Sequence, residues 1–342
     1  MYGIIPISQS TDKNPKEVLA MYKTSDVIKK LDKPVLTYKD MPYNSALIFN
    51  AAVEKYNGKY VMLFRNDYGD FEKQRLDGTC IGFATSDNGI DWTVSDKPCL
   101  KFSEGEIKRV YDPRITVIDG VCHVCFAVDT KHGVCGGIAR TDDFENFDII
   151  SISVPDNRNM VLFPEKINGN FVRLERPMPV YSRGADRFDI WLSESPDLVY
   201  WGKSRLVMGV EDVPFANDKI GPAAQPIKTD KGWLTTFHAV ELDKSRGKNG
   251  WEEKWQKQYY AGIMLLDLND PSKVIGKYDK PLIVCDRDYE TENGFRKDVI
   301  FPCGNVLEDN GEVKIYYGAS DTVECMATAD VNDLIRLCLE GD

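Results

Sequence analysis

The chain has 342 residues, 42% of them hydrophobic and 28% charged, with a formal net charge of −11. That balance excludes a disordered chain and disfavours nucleic acid as a partner, because a phosphate backbone wants a basic face. No apolar run is long enough to span a bilayer, so no membrane association is expected, and residues 1–30 lack the basic-then-apolar order of a secretory leader.

Residues 1–40 read as a leader, with one short helix expected over 14–32. One pattern then recurs five times. A hydrophobic strand runs into a two-residue turn and returns as a second strand. The turns are Asn57-Gly58, Asp119-Gly120, Asn168-Gly169, Lys231-Gly232 and Asn310-Gly311. Asn-Gly and Asp-Gly tolerate the positive φ of tight hairpins. A second strand pair follows each, with an acidic turn such as Thr85-Ser86-Asp87 or Ser195-Pro196-Asp197. Two hairpins make four strands. The repeats fall at about 44–94, 110–150, 161–201, 221–275 and 301–335, and residues 331–339 suggest a short closing helix. The expected fold is all-β: a five-bladed β-propeller of four antiparallel strands per blade, one domain over 1–342.

Two loops break the repeat, 241–258 and 286–298. The first carries Trp251 and Trp255, which suit either a cap on the funnel mouth or a contact in a homo-oligomer. The nine cysteines are odd in number, and Cys122 and Cys125, at zinc-like spacing, lack a second pair. They read as reduced core thiols in a cytoplasmic protein. The three histidines, His123, His132 and His238, lie in separate segments, so no metal site is expected.

A propeller gathers the ends of its inner strands around one funnel. Asp112, in Tyr111-Asp112-Pro113-Arg114, is expected at a strand start and extended, because Pro113 restricts it. It reads either as a funnel carboxyl or as a turn aspartate. Arg65 and Asp67 close the first hairpin and suit paired sugar hydroxyls, or else form a surface ion pair. A basic set follows: Arg158, with the amide of Asn159 beside it, then Lys166, Arg173, Arg176, Lys219 and His238. With no Gly-rich phosphate loop, these cations fit free inorganic phosphate, or else scatter into surface pairs. Asp321 stands at the level of Asp67, Arg176 and His238 in their blades.

Tyr111-Asp112-Pro113-Arg114, Arg158-Asn159, Pro164-Glu165-Lys166, Arg176-Pro177, Phe237-His238 and Tyr317-Gly318-Ala319-Ser320-Asp321 together resemble the β-mannoside phosphorylases of glycoside hydrolase family 130, over about residues 44–334. The resemblance implies cleavage of a terminal β-mannoside by inorganic phosphate, giving α-mannose 1-phosphate with inversion. Phosphate is then a co-substrate and no cofactor is needed. It implies Asp112 as the single acid, reaching the glycosidic oxygen through the 3-hydroxyl of the mannose. It assigns phosphate to Arg158, Asn159, Lys219, Arg176 and His238, and mannose to Asn44, Arg65, Asp67 and Asp321.

Phosphate arrives as an anion and needs no base, whereas inverting hydrolysis needs a second carboxylate to activate water. Loop 241–258, with Tyr259, Tyr260 and the 289–296 segment, is expected to shape the acceptor pocket. It differs from the shorter loop of the β-1,4 phosphorylases, so β-1,2-mannobiose is the expected substrate, with β-1,4-mannosyl-glucose or β-1,4-mannooligosaccharide as alternative. A propeller hydrolase using water and a non-catalytic sugar-binding propeller are the rivals.

Overall fold

A computed structural model describes residues 22–102, 105–178, 183, 187–247, 250–252, 254–291 and 294–341. The first strand, β1 (Lys29–Lys30), precedes all five blades. Blade 1 comprises β2 (Leu47–Tyr56), β3 (Lys59–Asp70), β4 (Arg75–Ser86) and β5 (Thr93–Val94). Blade 2 comprises β6 (Ile107–Ile118), β7 (Val121–Thr130), β8 (Gly133–Thr141) and β9 (Asp148–Ile152). Blade 3 comprises β10 (Asn157–Leu162), β11 (Phe171–Pro177), β12 (Ile190–Ser195) and β13 (Gly202–Met208). Blade 4 has its innermost strand in two pieces, β14 (Lys219–Pro222) and β15 (Ile227–Lys228), followed by β16 (Trp233–Leu242), β17 (Lys257–Leu266) and β18 (Val274–Lys277). Blade 5 comprises β19 (Ile300–Leu307), β20 (Glu312–Ala319) and β21 (Val323–Asp330), with β1 as its outermost strand. Short helices α1 (Asp288–Thr291) and α2 (Val331–Glu340) flank blade 5.

All strand pairs within the blades are antiparallel. The innermost strands touch in sequence, β2 to β6, β6 to β10, β10 to β14, β15 to β19 and β19 back to β2, which closes the ring. The apolar core is split between the blades. Leu63, Ile81, Ile115 and Val124 join blades 1 and 2, and Ile118, Cys125, Ile138 and Met160 join blades 2 and 3. Phe163, Leu174, Phe237 and Met264 join 3 and 4, Ile263, Leu265, Ile315 and Tyr317 join 4 and 5, and Ile48, Met62, Tyr316 and Met326 join 5 and 1. Each blade therefore stays folded only against its neighbours. All nine cysteines are free and seven are buried, several in these interfaces.

The turns follow the sequence with two differences. Asn57-Gly58, Asp119-Gly120 and Asn168-Gly169 each have positive φ at both residues, the geometry of a tight primed hairpin. At Lys231-Gly232 only Gly232 has positive φ, and Thr229 ties the turn through its hydroxyl. A Cβ on Gly232 would stand 2.5 Å from the Leu266 carbonyl, so glycine is required by contact as well as by conformation. The Asn310-Gly311 turn is wider, with only Gly311 left-handed. Three acidic turns work as Asx turns, Asp143, Asp197 and Asp267 each accepting two following backbone N–H groups, whereas in blade 1 Asn88, not Asp87, plays that part. Asp330 instead caps α2.

The leader departs from expectation. Residues 22–32 hold no helix, and the rest of the expected helix, 14–21, lies outside the described residues. Instead Lys29 and Lys30 pair with Thr328 and Ala327, so the fourth strand of blade 5 comes from the start of the chain. The closing helix stands beside the blade. Lys30 locks this join: its Nζ donates to both carboxylate oxygens of Glu290 (2.8 and 2.7 Å), to Asp286 (2.7 Å) and to the Val284 carbonyl (2.6 Å). Glu290 is fully buried and also accepts from Tyr317 Oη and from the N–H groups of Asp286 and Arg287. Glu290→Ala removes the fully buried partner of Lys30 and leaves it only the partly exposed Asp286, so it is expected to cost about 3 kcal/mol, the lower end for breaking a buried pair. Thermal unfolding checks this; an unchanged midpoint would mean the join contributes little.

Candidate active site

The inner strands are built to push polar groups into the funnel. Register breaks at 49–52 in β2, 111–114 in β6, 158–161 in β10 and 302–304 in β19. At the first three bulges sit Asn50 (φ 56), Asp112 (φ 51) and Asn159 (φ 58). Asn and Asp are the side-chain-bearing residues that best tolerate this left-handed conformation. Two expectations for Asp112 are thereby corrected. It lies within β6, not at a strand start, and it is left-handed, not extended. The bulge needs that conformation, and Pro113, with no N–H to pair, sits naturally beside an interrupted ladder.

At one end of the site, Asp112 Oδ1 accepts from Asn50 Nδ2 (2.9 Å) and lies 3.5 Å from an Arg65 nitrogen. Arg65 forks onto Asp67 (2.9 and 2.7 Å) and is stacked between the rings of Phe49 and Tyr111. Thr79 Oγ1 donates to Asp67 (2.7 Å). Asp321 is buried and accepts from Arg296 Nη1 (3.2 Å). Burial raises the Asp321 carboxyl above its usual range, against the pull of Arg296 and Arg65. Burial also favours neutral Asp112, but Arg65, Arg114, Asn50 and Arg158 outweigh it and hold that carboxyl low.

The other end is crowded with cations. Arg176 and His238 are buried, and Arg176 Nη1 lies 3.0 Å from His238 Nε2. A guanidinium only donates, so Nε2 accepts and Nδ1 carries the proton. A Cβ on Gly221 would fall 2.3 Å from His238 Cε1 and 3.0 Å from Arg176 Cδ, so a glycine here makes room for the pair. The His238 ring stacks on Phe301 at 4.4 Å and runs parallel to Tyr259 at 6.2 Å. Arg114 donates to the carbonyls of Ala223 and Pro113. Lys219 lies 3.8 Å from Asp218, which also takes Lys257 at 2.9 Å.

These cations repel one another. Burial, then Arg158, pulls Arg176 down to about 9. Burial, then Arg176, keeps His238 neutral, well below its usual range. Lys219 is lowered by burial, then by Arg176 and Lys257. Arg158 Nε, Arg176 Nε, Arg114 Nη2 and His238 Nδ1 are buried without a hydrogen-bond partner in the protein. Buried donors left unspent and cations left unneutralised are complementary to an anion.

Several expected residues stand elsewhere. Tyr260 points into the interface of blades 3 and 4, against Phe215 and Tyr22, with its hydroxyl on Glu241. Its neighbour Tyr259 faces the cations, because strand neighbours face opposite ways. Arg173 is buried on Glu175, Ser193 and Trp201 within blade 3, and Lys166 packs on Phe171. Asn44 is exposed; its Oδ1 accepts from the Gly69 N–H and its carbonyl from Asn66, so it steadies β3 beside Asp67. Asn50 was not foreseen; an amide between apolar residues in Phe49-Asn50-Ala51 is its signal. Arg296 ends the 289–296 segment expected to shape the acceptor pocket. It bridges Asp321 to Glu252 (2.6 Å) between the rings of Trp255 and Phe295, and Trp255 stacks parallel to Tyr259.

Fold and site together define a five-bladed propeller whose funnel sets a carboxylate cluster beside a group of buried cations complementary to an anion. The model of glycoside hydrolase family 130, described as β-1,4-mannooligosaccharide phosphorylase, matches residues 20–340. The chain belongs to that family. It is 32% identical to a β-1,2-mannobiose phosphorylase of Listeria innocua, over 75% of this chain and 68% of that protein. It is 34% identical to a β-1,4-mannooligosaccharide phosphorylase of Ruminococcus albus, over 91% and 90%. The solved complex of the Listeria innocua β-1,2-mannobiose phosphorylase with β-1,2-mannobiose superposes with a TM-score of 0.77 at 27% identity, covering 91% of this chain and 99% of that one. Among the described residues, no helix is long and apolar enough to cross a membrane.

Proposed function

We propose that the chain cleaves a terminal β-1,2-linked mannoside with inorganic phosphate. The anion is held by Arg158, Asn159, Arg176, Lys219 and His238, and one oxygen attacks C1 from the face opposite the leaving group. The C1–O bond to the acceptor sugar breaks as the C1–O bond to phosphate forms, and the departing oxygen takes the proton of Asp112. The products are α-mannose 1-phosphate and the acceptor. Arg65, Asp67 and Asp321 hold the mannose hydroxyls. The observation that carries the reading is the set of buried, unneutralised cations around Arg176.

The Listeria innocua relative and its complex support the β-1,2 linkage. Glu252 and Trp255 of the 241–258 loop reach the site through Arg296, which suits the acceptor side. The Ruminococcus albus relative supports β-1,4 as the second reading.

The test is incubation with β-1,2- and β-1,4-mannobiose and β-1,4-mannosyl-glucose, with and without phosphate. The expected outcome is mannose 1-phosphate from the β-1,2 substrate, at least about tenfold faster than from the others, the discrimination of roughly one misplaced contact. Sugar release that ignores phosphate would reject phosphorolysis and favour the hydrolase.

A further inference from the structure

Behind the acid lies a second buried carboxyl that the reaction above does not use. Glu324 is on β21, two strands out from the funnel, and is fully buried. Its Oε2 accepts the N–H of Ala51 (3.0 Å), and its own N–H and carbonyl are tied to the backbone of Leu36 and Val35. Ala51 sits in the β2 bulge, where the register break leaves Asn50 and Ala51 without partners in β3. A buried N–H freed in this way needs an acceptor, and Glu324 supplies it.

Gly318 makes the approach possible. It is the cross-strand partner of Glu324, so the glutamate side chain rises on the face where a Gly318 Cβ would stand. That Cβ would fall 2.5 Å from Asn50 Oδ1 and 2.7 Å from Asn50 N, so the bulge rests directly on the glycine. Asn50 turns its amide to the acid, Nδ2 donating to Asp112 Oδ1 (2.9 Å). Asn50 Oδ1 is then left buried without a partner, and so is Glu324 Oε1. Burial raises the Glu324 carboxyl well above its usual range, against the pull of the Ala51 N–H and Arg114, so it holds a proton. That proton belongs on Oε1, since Oε2 already accepts, and Asn50 Oδ1 is the unfilled acceptor bordering the same glycine.

We propose that Glu324 is a positioning residue for Asp112, acting through the β2 bulge and the Asn50 amide. Its part is to hold in place the carboxyl that hands over the proton. The inference rests on the phosphorolysis reading above.

The test is Glu324→Leu, which keeps the bulk and removes the polar contacts. The kcat for mannose 1-phosphate release should fall about 10- to 100-fold, the scale of a group misplaced by about 1 Å, with the phosphate KM little changed. The Asn50 hydrogen bond favours ionised Asp112, so its loss should move the alkaline limb of the rate profile to higher pH. The other groups acting on Asp112 are untouched in the variant: Arg65 from β3, Tyr111 and Arg114 from β6, Arg158 from β10, Arg176 from β11 and Asp321 after β20. Those acting on Glu324 are Arg114, Cys303 of β19, Tyr316 of β20 and Cys325, the last three kept neutral by burial.

Glu324→Gln can still accept from Ala51 and donate to Asn50, so it should restore both kcat and the limb. On an Asn50→Gly background, Glu324→Leu should cost no more than about twofold in kcat, because the two act as one unit. Should Glu324→Leu not fold, Glu324→Asp, one methylene short of Ala51, should shift kcat and the limb in the same directions. A limb that stays in place marks a merely structural residue, and one that moves to lower pH marks an ionised residue acting by charge. Either result, or a glutamine variant as impaired as the leucine one, overturns the proposal. NMR titration of the Asp112 carboxyl carbon, assigned with Asp112→Asn, reads the same shift without turnover. A wild type that releases no mannose 1-phosphate would therefore overturn the phosphorolysis reading while the role of Glu324 is still decided by that titration.

Discussion

Asp112→Asn is expected to lower kcat by about 10²–10⁴-fold, the usual contribution of a positioned proton donor. The substitution keeps the shape of the side chain and tolerates the left-handed bulge, so mannoside binding should persist. The charges around Asp112 add a second, sharper expectation. Arg65, Arg114 and Arg158 hold its carboxyl low, although burial pushes the other way. An acid that is ionised at neutral pH is useless, so something must raise its affinity for a proton. In the proposed mechanism, phosphate bound among Arg158, Arg176 and Lys219 would do this, because its negative charge would cancel part of the cationic field.

The sign follows from linkage: if phosphate raises the affinity of Asp112 for a proton, protonation raises the affinity for phosphate by the same factor. Phosphate binding should therefore take up more protons in the wild type than in Asp112→Asn, a difference from which the titration of phosphate itself cancels. Calorimetry in buffers of different ionisation enthalpy measures it. The alkaline limb of the rate profile should also move to higher pH as phosphate saturates, and vanish in the variant. Equal proton uptake together with near-normal turnover would remove Asp112 from the acid role.

What the sequence disclosed depends on the range of each interaction. The hairpin turns were legible because a two-residue turn is a local problem, solved by Asn-Gly wherever both residues need positive φ. Even there, Lys231-Gly232 differs, since Thr229 supplies by hydrogen bond what lysine does not supply by conformation. The ring closure was not legible. β1 is two residues long, and its partner lies about three hundred residues away. Nothing in Lys29-Lys30 distinguishes a strand from a loop until Glu290 provides a buried counter-charge for Lys30.

Within the site, residue types were informative and orientations less so. Arg176 and His238 could be placed at hairpin ends, but Tyr259 and Tyr260 differ only by the parity of a strand whose start lies in an insertion. Arg173 and Arg176 looked alike in sequence. One has Glu175 beside it and is a structural pair; the other contacts a neutral histidine and the Met178 sulfur and is crowded by Arg158. That difference in partners, not the residue type, marks the anion site.

Arg176→Ala is accordingly expected to raise the KM for phosphate about 10- to 150-fold, the equivalent of one charge-assisted hydrogen bond of about 1.5–3 kcal/mol. The KM for mannoside should change far less, because Arg65, Asp67 and Asp321 are held by other partners. Thermal stability separates this from general damage. Phosphate at a hundredfold excess over its Kd should stabilise the wild type by about 2.7 kcal/mol, and at the same concentration it should stabilise the variant much less. In the absence of phosphate the variant loses a repulsive neighbour of Arg158 and Lys219, which offsets part of the packing lost around His238. His238 should then titrate closer to its ordinary range, since Arg176 is the largest charge acting against its protonation. NMR of the histidine ring follows that directly. A variant with unchanged phosphate KM, or one in which mannoside binding fails to the same degree, would place the anion elsewhere in the funnel and leave the cation cluster without the role assigned to it.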